Sequence, residues 1–232
     1  MIASTRSELP LLYWIFKASV LRALRLWSRP QVEGLEKLPA GGVLIVGNHL
    51  SFSDSFFLGA VLPRRLTFLA KSSYFDGPGI RGWLTAQFFR ALGQVPVDRS
   101  GGPAGDAALR AGSEVLRGGG LLGIYPEGTR SPDGRLHKFR TGVARMALRS
   151  GAPVIPVGLI GTDQVLPPGS SRWRRAPVEV HFGQPLHFPG RTEDERSARA
   201  LREVAETVRE AVQKLSGQDY VDSYGSSAKK AG

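Results

Sequence analysis

A histidine and an aspartate five residues apart are the first pair in the sequence with the chemistry of a general base. The segment from Asn48 to Asp54 reads NHLSFSD and follows a short apolar run. With His49 in the turn and Asp54 at the start of a helix, the carboxylate can fold back to orient the imidazole and stabilise its protonated form. In isolation this spacing more often indicates a structural histidine held by a helix-initial aspartate, so the surrounding motifs must decide.

A second polar cluster follows another apolar run, where residues 125–131 read YPEGTRS. Arg130 offers a planar fork for phosphate oxygens, and Glu127 can hold that fork or accept a hydrogen bond from a substrate hydroxyl. Gly128 permits a positive φ or a close backbone approach, and Thr129 adds a hydroxyl. Together these residue types favour a binding site for an anion. The alternative is a turn that carries a surface ion pair.

Two further cations stand at the ends of apolar runs. Residues 93–99 read GQVPVDR, and Arg99 is a candidate second phosphate ligand, although Asp98 and Arg99 also fit a solvated loop pair. Lys71 is a similar and weaker candidate. In the segment VIPV, Pro156 inside an apolar run suggests an edge strand or a bend that could border an acyl groove, but an ordinary packed strand is favoured.

Composition limits the class of protein. The 232 residues fit one domain, and the mean hydropathy of -0.13 does not match a multi-span membrane protein. A net charge of +11 favours anionic partners, either anionic lipid or nucleic acid. The absence of cysteine excludes disulfides, thiolate metal ligands and a cysteine nucleophile. The four histidines show no metal-ligand spacing, so we expect no metal.

The alternation of apolar runs with helix-like segments predicts an α/β fold, a single-domain sandwich with a mainly parallel central sheet flanked by helices. The predicted strands are Val43 to Gly47, Leu66 to Lys71, Gln94 to Val97, Leu121 to Tyr125, Val154 to Ile160 and Val178 to Phe182. The predicted helices are Asp54 to Val61, Ile80 to Ala91, Gly105 to Leu116, Thr141 to Arg149 and Glu193 to Leu215, the last capped by Thr192.

Three parts are predicted along the chain. Residues 1–30 contain an amphipathic helix from Pro10 to Trp27 whose interspersed cations favour a position in the membrane interface, with packing on the protein's own domain as the alternative. Residues 31–215 form the main domain, and residues 216–232 form a flexible tail. No secretory signal is evident, so we expect a peripheral protein on the cytoplasmic face of the cell membrane.

The four blocks NHLSFSD, GQVPVDR, YPEGTRS and VIPV, in this order, resemble those of the glycerolipid acyltransferase family, which includes bacterial 1-acyl-sn-glycerol-3-phosphate acyltransferases. The resemblance covers residues from about Val32 to Pro185. It implies that His49 acts as general base and that Asp54 orients it. It also implies an acceptor phosphate site shaped by Arg99, Glu127, Gly128, Thr129 and Arg130. Tyr125 stands where phenylalanine is commoner in the family, a change expected to affect only packing.

The resemblance implies transfer of a fatty acyl group from acyl-CoA or acyl carrier protein to a lysophospholipid, with lysophosphatidic acid as the expected acceptor and no cofactor. Direct transfer is favoured because the sequence has neither a cysteine nor a recognisable serine nucleophile. Glycerol 3-phosphate, another lyso-lipid or a hydroxylated aminolipid are alternative acceptors. A basic nucleic-acid-binding protein is disfavoured for lack of a binding motif, and a non-catalytic lipid-binding protein because His49 and Asp54 are both present.

Overall fold

The computed structural model describes residues 14–15, 17–91, 94–97, 103–189 and 192–227. Its strands are β1 (Gln31–Glu33), β2 (Val43–Gly47), β3 (Leu66–Lys71), β4 (Gln94–Val97), β5 (Leu121–Ile124), β6 (Leu136–His137), β7 (Val154–Ile160), β8 (Glu179–Phe182) and β9 (Tyr220–Val221). Its α-helices are α1 (Arg22–Ser28), α2 (Asp54–Val61), α3 (Gly79–Ala91), α4 (Pro103–Arg117), α5 (Gly142–Ser150), α6 (Thr162–Val165) and α7 (Ala198–Ser216).

Seven strands form one sheet in the order β1-β8-β7-β2-β5-β3-β4, and β6 pairs with β9 in a separate two-stranded sheet. Every neighbouring pair in the large sheet is parallel except β7 and β8. The structure therefore confirms the predicted α/β sandwich with a mainly parallel sheet. Because β2, β5 and β7 run side by side in one direction, the segments that follow them emerge at the same edge of the sheet.

Alternating side chains of β2 supply both layers of the core. Leu44 and Val46 pack with helices α4, α5 and α7 on one face of the sheet, while Val43 and Ile45 pack with α2 on the other. All four are fully buried. A strand in the middle of a parallel sheet is covered on both faces, which explains why its sequence is an uninterrupted apolar run.

Pro156 lies in an interior strand, so the favoured packed strand is confirmed and the edge position is wrong. β7 is hydrogen-bonded between β8 and β2, and Val46 is the partner of Pro156 in the parallel ladder. The carbonyl of Pro156 accepts a hydrogen bond from the N–H of Gly183, one residue beyond the end of β8. The missing N–H of proline therefore falls where the ladder with β8 has ended, and it removes no strand pairing.

The two ends of the chain differ in how they match the predictions. Trp14, Ile15 and the stretch from Lys17 to Ser28 are helical, including a π-helical turn at Lys17–Leu21, whereas residues 10–13 and 16 of the predicted helix lie outside the described residues. A 3₁₀ turn at Thr192–Arg196 precedes the last helix, and the Ser197 hydroxyl, rather than Thr192, caps α7. The expected flexible tail does not fit residues 217–227, because Tyr220–Val221 forms β9.

Candidate active site

His49 lies just beyond the carboxyl end of β2, and the residue before it fixes the turn. The side-chain oxygen of Asn48 accepts a hydrogen bond from the backbone N–H of Leu159 at 2.8 Å, and its amide group donates to the Leu159 carbonyl at 2.9 Å. Asn48 is fully buried. This two-point contact with β7 replaces strand pairing where β2 ends, so the chain turns and presents the His49 side chain at the sheet edge.

Asp54 holds His49 from the first turn of α2. One carboxylate oxygen accepts hydrogen bonds from His49 Nδ1 at 2.7 Å and from the backbone N–H groups of Leu50 and Ser51 at 2.8 and 3.0 Å. Asp54 is fully buried, while the His49 side chain keeps 20% exposure. Because Nδ1 donates to the carboxylate, Nε2 carries the lone pair that can accept a proton.

The ring of Tyr125 stacks on the His49 imidazole, with centroids 4.2 Å apart and planes within 8°. Phe68 also stacks on Tyr125, with ring centroids 5.3 Å apart, and the Tyr125 hydroxyl lies 3.2 Å from Ser55 Oγ. Burial raises the pKa of Tyr125 well above its ordinary value, and the nearby Asp54 charge adds to this effect. The Tyr125 side chain therefore stays uncharged beside the His49 imidazole. Its contact with His49 was not foreseen from the sequence.

Glu127 occupies a different position from the one predicted. It is fully buried, and its two oxygens accept hydrogen bonds from the backbone N–H groups of His49 at 2.9 Å and His137 at 3.1 Å. Burial raises the pKa of Glu127 to about 7, although these two hydrogen bonds oppose the shift. Its carboxyl group thus ties the turn after β2 to β6 and faces backbone amides.

The remaining predicted phosphate ligands are distributed differently. Gly128 adopts φ +73° and lines the cavity beside His49, whereas Thr129 and Arg130 are half-buried and are not among its lining residues. Arg99 lies outside the described residues. Lys71 ends β3, and its side chain also lies outside them. Of these predicted ligands, Gly128 is the one that shares the cavity lining with His49 among the described residues.

A cavity of about 640 Å³ opens beside His49 at the carboxyl ends of β3 and β5. Apolar side chains from these strands and from α4 and α5 form much of its wall, including Leu69, Leu109, Ile124, Val143 and Met146. Arg140 and Arg145 also line it. Both arginines were missed from the sequence, although the segment FRTGVAR places them directly around the start of a predicted helix.

The arrangement defines a class of chemistry. A histidine with a free Nε2, oriented by a buried carboxylate, faces a cavity that combines an apolar wall with guanidinium groups. Such a site can remove a proton from a hydroxyl while holding a molecule that is apolar at one end and anionic at the other. Direct acyl transfer to an alcohol can use these groups without a covalent nucleophile on the protein.

Comparison with known proteins agrees with this class. The acyltransferase family model matches residues 29–160, and the chain belongs to the acyltransferase family. It is 35% identical over 159 residues to a chloroplastic 1-acyl-sn-glycerol-3-phosphate acyltransferase of Arabidopsis thaliana, an alignment that covers 67% of this chain and 43% of that protein. The 1-acyl-sn-glycerol-3-phosphate acyltransferase of Pseudomonas aeruginosa is 31% identical over 195 residues, covering 78% of this chain and 70% of that one.

A solved structure shows the same fold. The 1-acyl-sn-glycerophosphate (LPA) acyltransferase from Thermotoga maritima superposes with a TM-score of 0.62 at 25% sequence identity, covering 89% of this chain and 79% of the other. The chain spans less than half the length of the Arabidopsis relative. The family and the fold are therefore common to this chain and its relatives.

Proposed function

We propose that the chain transfers a fatty acyl group from a thioester to the sn-2 hydroxyl of 1-acyl-sn-glycerol-3-phosphate, giving phosphatidic acid. The observation that carries the proposal is the 2.7 Å contact between Nδ1 of His49, which lines the cavity, and the buried Asp54 carboxylate. The names of the Arabidopsis and Pseudomonas relatives support this acceptor. The reaction belongs to phospholipid biosynthesis.

The proposed mechanism is a direct transfer. His49 Nε2 removes the proton from the acceptor hydroxyl as its oxygen attacks the thioester carbonyl carbon, and a carbon–oxygen bond forms. Asp54 stabilises the imidazolium that results. The tetrahedral intermediate then expels the thiolate as the carbon–sulfur bond breaks, and the imidazolium returns the proton to the leaving sulfur. Atoms and protons balance without a cofactor or an acyl-enzyme.

The donor in this proposal is acyl-CoA or acyl carrier protein, and the apolar wall of the cavity accommodates the acyl chain. Apolar side chains from two helices and two strands line the cavity, and His49 lines it as well. A long acyl chain gains roughly 0.8 kcal/mol for each buried CH₂ group, so a wall of this kind supplies binding energy at a distance from the reacting atoms.

The proposed partner surface is the cytoplasmic face of the cell membrane, contacted by the N-terminal helical segment. Leu26 and Trp27 are 66% and 38% exposed, and Trp27 borders an apolar groove with Trp173. Exposed Arg172 and Arg174 flank Trp173. Aromatic side chains beside arginines fit the interface of an anionic bilayer. No helix in the described part of the chain is long and apolar enough to cross a membrane.

Vesicle co-sedimentation tests this contact. The wild-type protein should pellet with vesicles of phosphatidylglycerol and much less with phosphatidylcholine. Replacement of both Leu26 and Trp27 by serine should leave it in the supernatant, whereas Ser19→Ala on the same helical segment should bind like the wild type. Equal binding by the Leu26/Trp27 double variant and the wild type would overturn this assignment.

The acceptor is tested by a panel. Purified protein in detergent is incubated with oleoyl-CoA or oleoyl acyl carrier protein and with lysophosphatidic acid, lysophosphatidylcholine, lysophosphatidylethanolamine, a hydroxylated aminolipid or glycerol 3-phosphate, and the products are separated by chromatography. The proposal expects phosphatidic acid from lysophosphatidic acid at a rate well above every other acceptor. Preference for another acceptor would change the substrate, and no product from any acceptor with either donor would refute the enzymatic function.

A further inference from the structure

The arginines that line the cavity lie downstream of the YPEGTRS loop, and the acidic residue Asp106 lines the cavity as well. Among the described residues, Arg140 and Arg145 are the cationic residues that line the cavity, while Arg130 does not. The Arg140 side chain lies over Gly128, since a Cβ atom built on Gly128 would be 2.7 Å from Arg140 Nε. Glycine at this position thus leaves room for a guanidinium beside the base.

Arg140 carries an available positive charge. No carboxylate of the described residues forms an ion pair with it. Its backbone N–H donates to the Pro126 carbonyl at 2.9 Å, which fixes the main chain next to the loop. The residue also precedes the amino terminus of α5, where peptide N–H groups add partial positive charge on the same side of the cavity.

The C-terminal segment, residues 218–227, holds the guanidinium in place. The Tyr224 ring lies 5.2 Å from Arg140 Cζ, and Arg140 Nη2 donates to Ser226 Oγ at 3.1 Å. Stacking on an aromatic face restricts a guanidinium without neutralising its charge, and a hydroxyl partner does the same. These two contacts orient Arg140 while leaving its positive charge for a ligand.

The segment is fixed to the site at several points. β9 pairs with β6, and the Lys138 N–H donates to the Ser223 carbonyl at 3.0 Å. The Gln218 side chain accepts a hydrogen bond from Asn48 at 2.7 Å. Gly225 is buried and packs so closely that an added Cβ would lie 3.2 Å from Thr129 Cγ2. The positions of Tyr224 and Ser226 are therefore set by the same motifs that carry His49 and Glu127.

We propose that Arg140, positioned by Tyr224 and Ser226 of the C-terminal segment, binds the phosphate monoester of the acceptor. The inference rests on the proposed function, because it assigns the ligand of the acceptor's anionic end. A planar guanidinium forms paired hydrogen bonds to phosphate oxygens, and a terminal monoester offers more oxygens and more charge than the phosphodiester of a larger head group. Arg140 is then a binding and specificity residue, and Tyr224 and Ser226 are positioning residues.

Steady-state kinetics test the assignment. Arg140→Ala should raise KM for lysophosphatidic acid by about tenfold or more, the scale of a lost charge-assisted hydrogen bond, with kcat little changed. Arg140→Lys should recover part of the loss. Tyr224→Leu and Ser226→Ala should each raise KM by about two- to fivefold, and Tyr224→Phe should match the wild type because it keeps the ring. KM for the acyl donor should not change.

Matched controls separate the effect from general damage. Arg117→Gln removes an exposed charge at the carboxyl end of α4, at the opposite edge of the sheet, and Ser227→Ala removes the hydroxyl next to Ser226. Both should behave like the wild type. Thermal unfolding of every variant identifies any that fails to fold. If Arg140→Ala is unstable, the KM values of Tyr224→Leu and Tyr224→Phe for lysophosphatidic acid test the proposal in its place.

A binding measurement makes the test independent of acyl transfer. Millimolar glycerol 3-phosphate should raise the Tm of the wild-type protein, glycerol should not, and Arg140→Ala should lose the shift. Unchanged KM and an unchanged thermal shift in Arg140→Ala, with transfer intact, would overturn the inference and leave the proposed function standing. A wild-type protein that shows the Arg140-dependent shift but transfers no acyl group would refute the proposed function alone.

Discussion

Replacing Glu127 by glutamine should abolish a pH-dependent loss of stability that this carboxyl group imposes on the protein. The pKa of Glu127 is about 7 in the folded protein, against 4.5 for an ordinary glutamate, because the side chain is fully buried. Between these two pH values the folded state holds a proton that the unfolded state has released. This contribution to stability is complete below pH 4.5 and is lost as the pH rises to about 7.

The magnitude follows from the shift. Each pKa unit corresponds to 1.36 kcal/mol, so the free energy of unfolding of the wild type should fall by about 2 to 3 kcal/mol between roughly pH 5 and pH 8 through Glu127 alone. Glutamine does not titrate. Its NH₂ group must face one of the N–H groups of His49 or His137, which lowers stability at every pH but adds no slope.

Urea unfolding measured by circular dichroism from pH 5 to pH 8 gives the comparison. The difference in unfolding free energy, Glu127→Gln minus wild type, should rise by about 2 to 3 kcal/mol across this range, whereas the difference for Ser227→Ala should stay flat because this variant removes no titratable group. A Glu127→Gln difference that changes by less than about 0.5 kcal/mol would show that Glu127 takes up no proton on folding in this pH range.

Three further substitutions test neighbouring parts of the site. Asp54→Asn should lower kcat by on the order of 10²–10⁴-fold, because an amide cannot stabilise an imidazolium. Folding should change little, because the amide oxygen can still accept hydrogen bonds from the backbone N–H groups of Leu50 and Ser51. A loss of kcat below tenfold in initial-rate assays would contradict this. Gly128→Ala should cost about 1 to 2 kcal/mol in urea unfolding, since φ is +73° and the new Cβ meets Arg140; unchanged stability would contradict it. Asn48→Ala should cost about 1 to 3 kcal/mol, because it leaves the buried Leu159 N–H without its acceptor; a Tm equal to that of the wild type would show that the contact is dispensable.

The sheet and the pair His49–Asp54 were predictable because both depend on short-range patterns. β2 and α2 begin and end at the predicted residues, since an apolar run bounded by polar residues and a helix-initial aspartate are local signals. Asp54 follows His49 by five residues, so the spacing in the sequence indicates that the carboxylate can reach the imidazole. The family assignment followed from the order of the four blocks and is confirmed by the match over residues 29–160.

The rest of the site depends on contacts between distant segments. Arg140 contacts Tyr224 and Ser226, which lie more than eighty residues later in the sequence. The C-terminal segment consists mainly of small polar residues, and no local pattern in it predicts that the segment packs against the site. From the sequence, Glu127 is expected to hold the Arg130 guanidinium or to accept a hydrogen bond from a substrate hydroxyl, and the family resemblance implies a place in the acceptor phosphate site. Its burial against the amides of His49 and His137 follows from the tertiary packing of β6.

Acyl transfer by His49 is tested directly by the rate at which purified wild-type protein and His49→Ala convert lysophosphatidic acid and radiolabelled oleoyl-CoA, or the matching acyl carrier protein, to phosphatidic acid. We expect labelled phosphatidic acid from the wild type, no labelled protein after denaturation, and a rate lower by on the order of 10²–10⁴-fold in the folded variant. A His49→Ala rate equal to that of the wild type would contradict the assignment of His49 as the base.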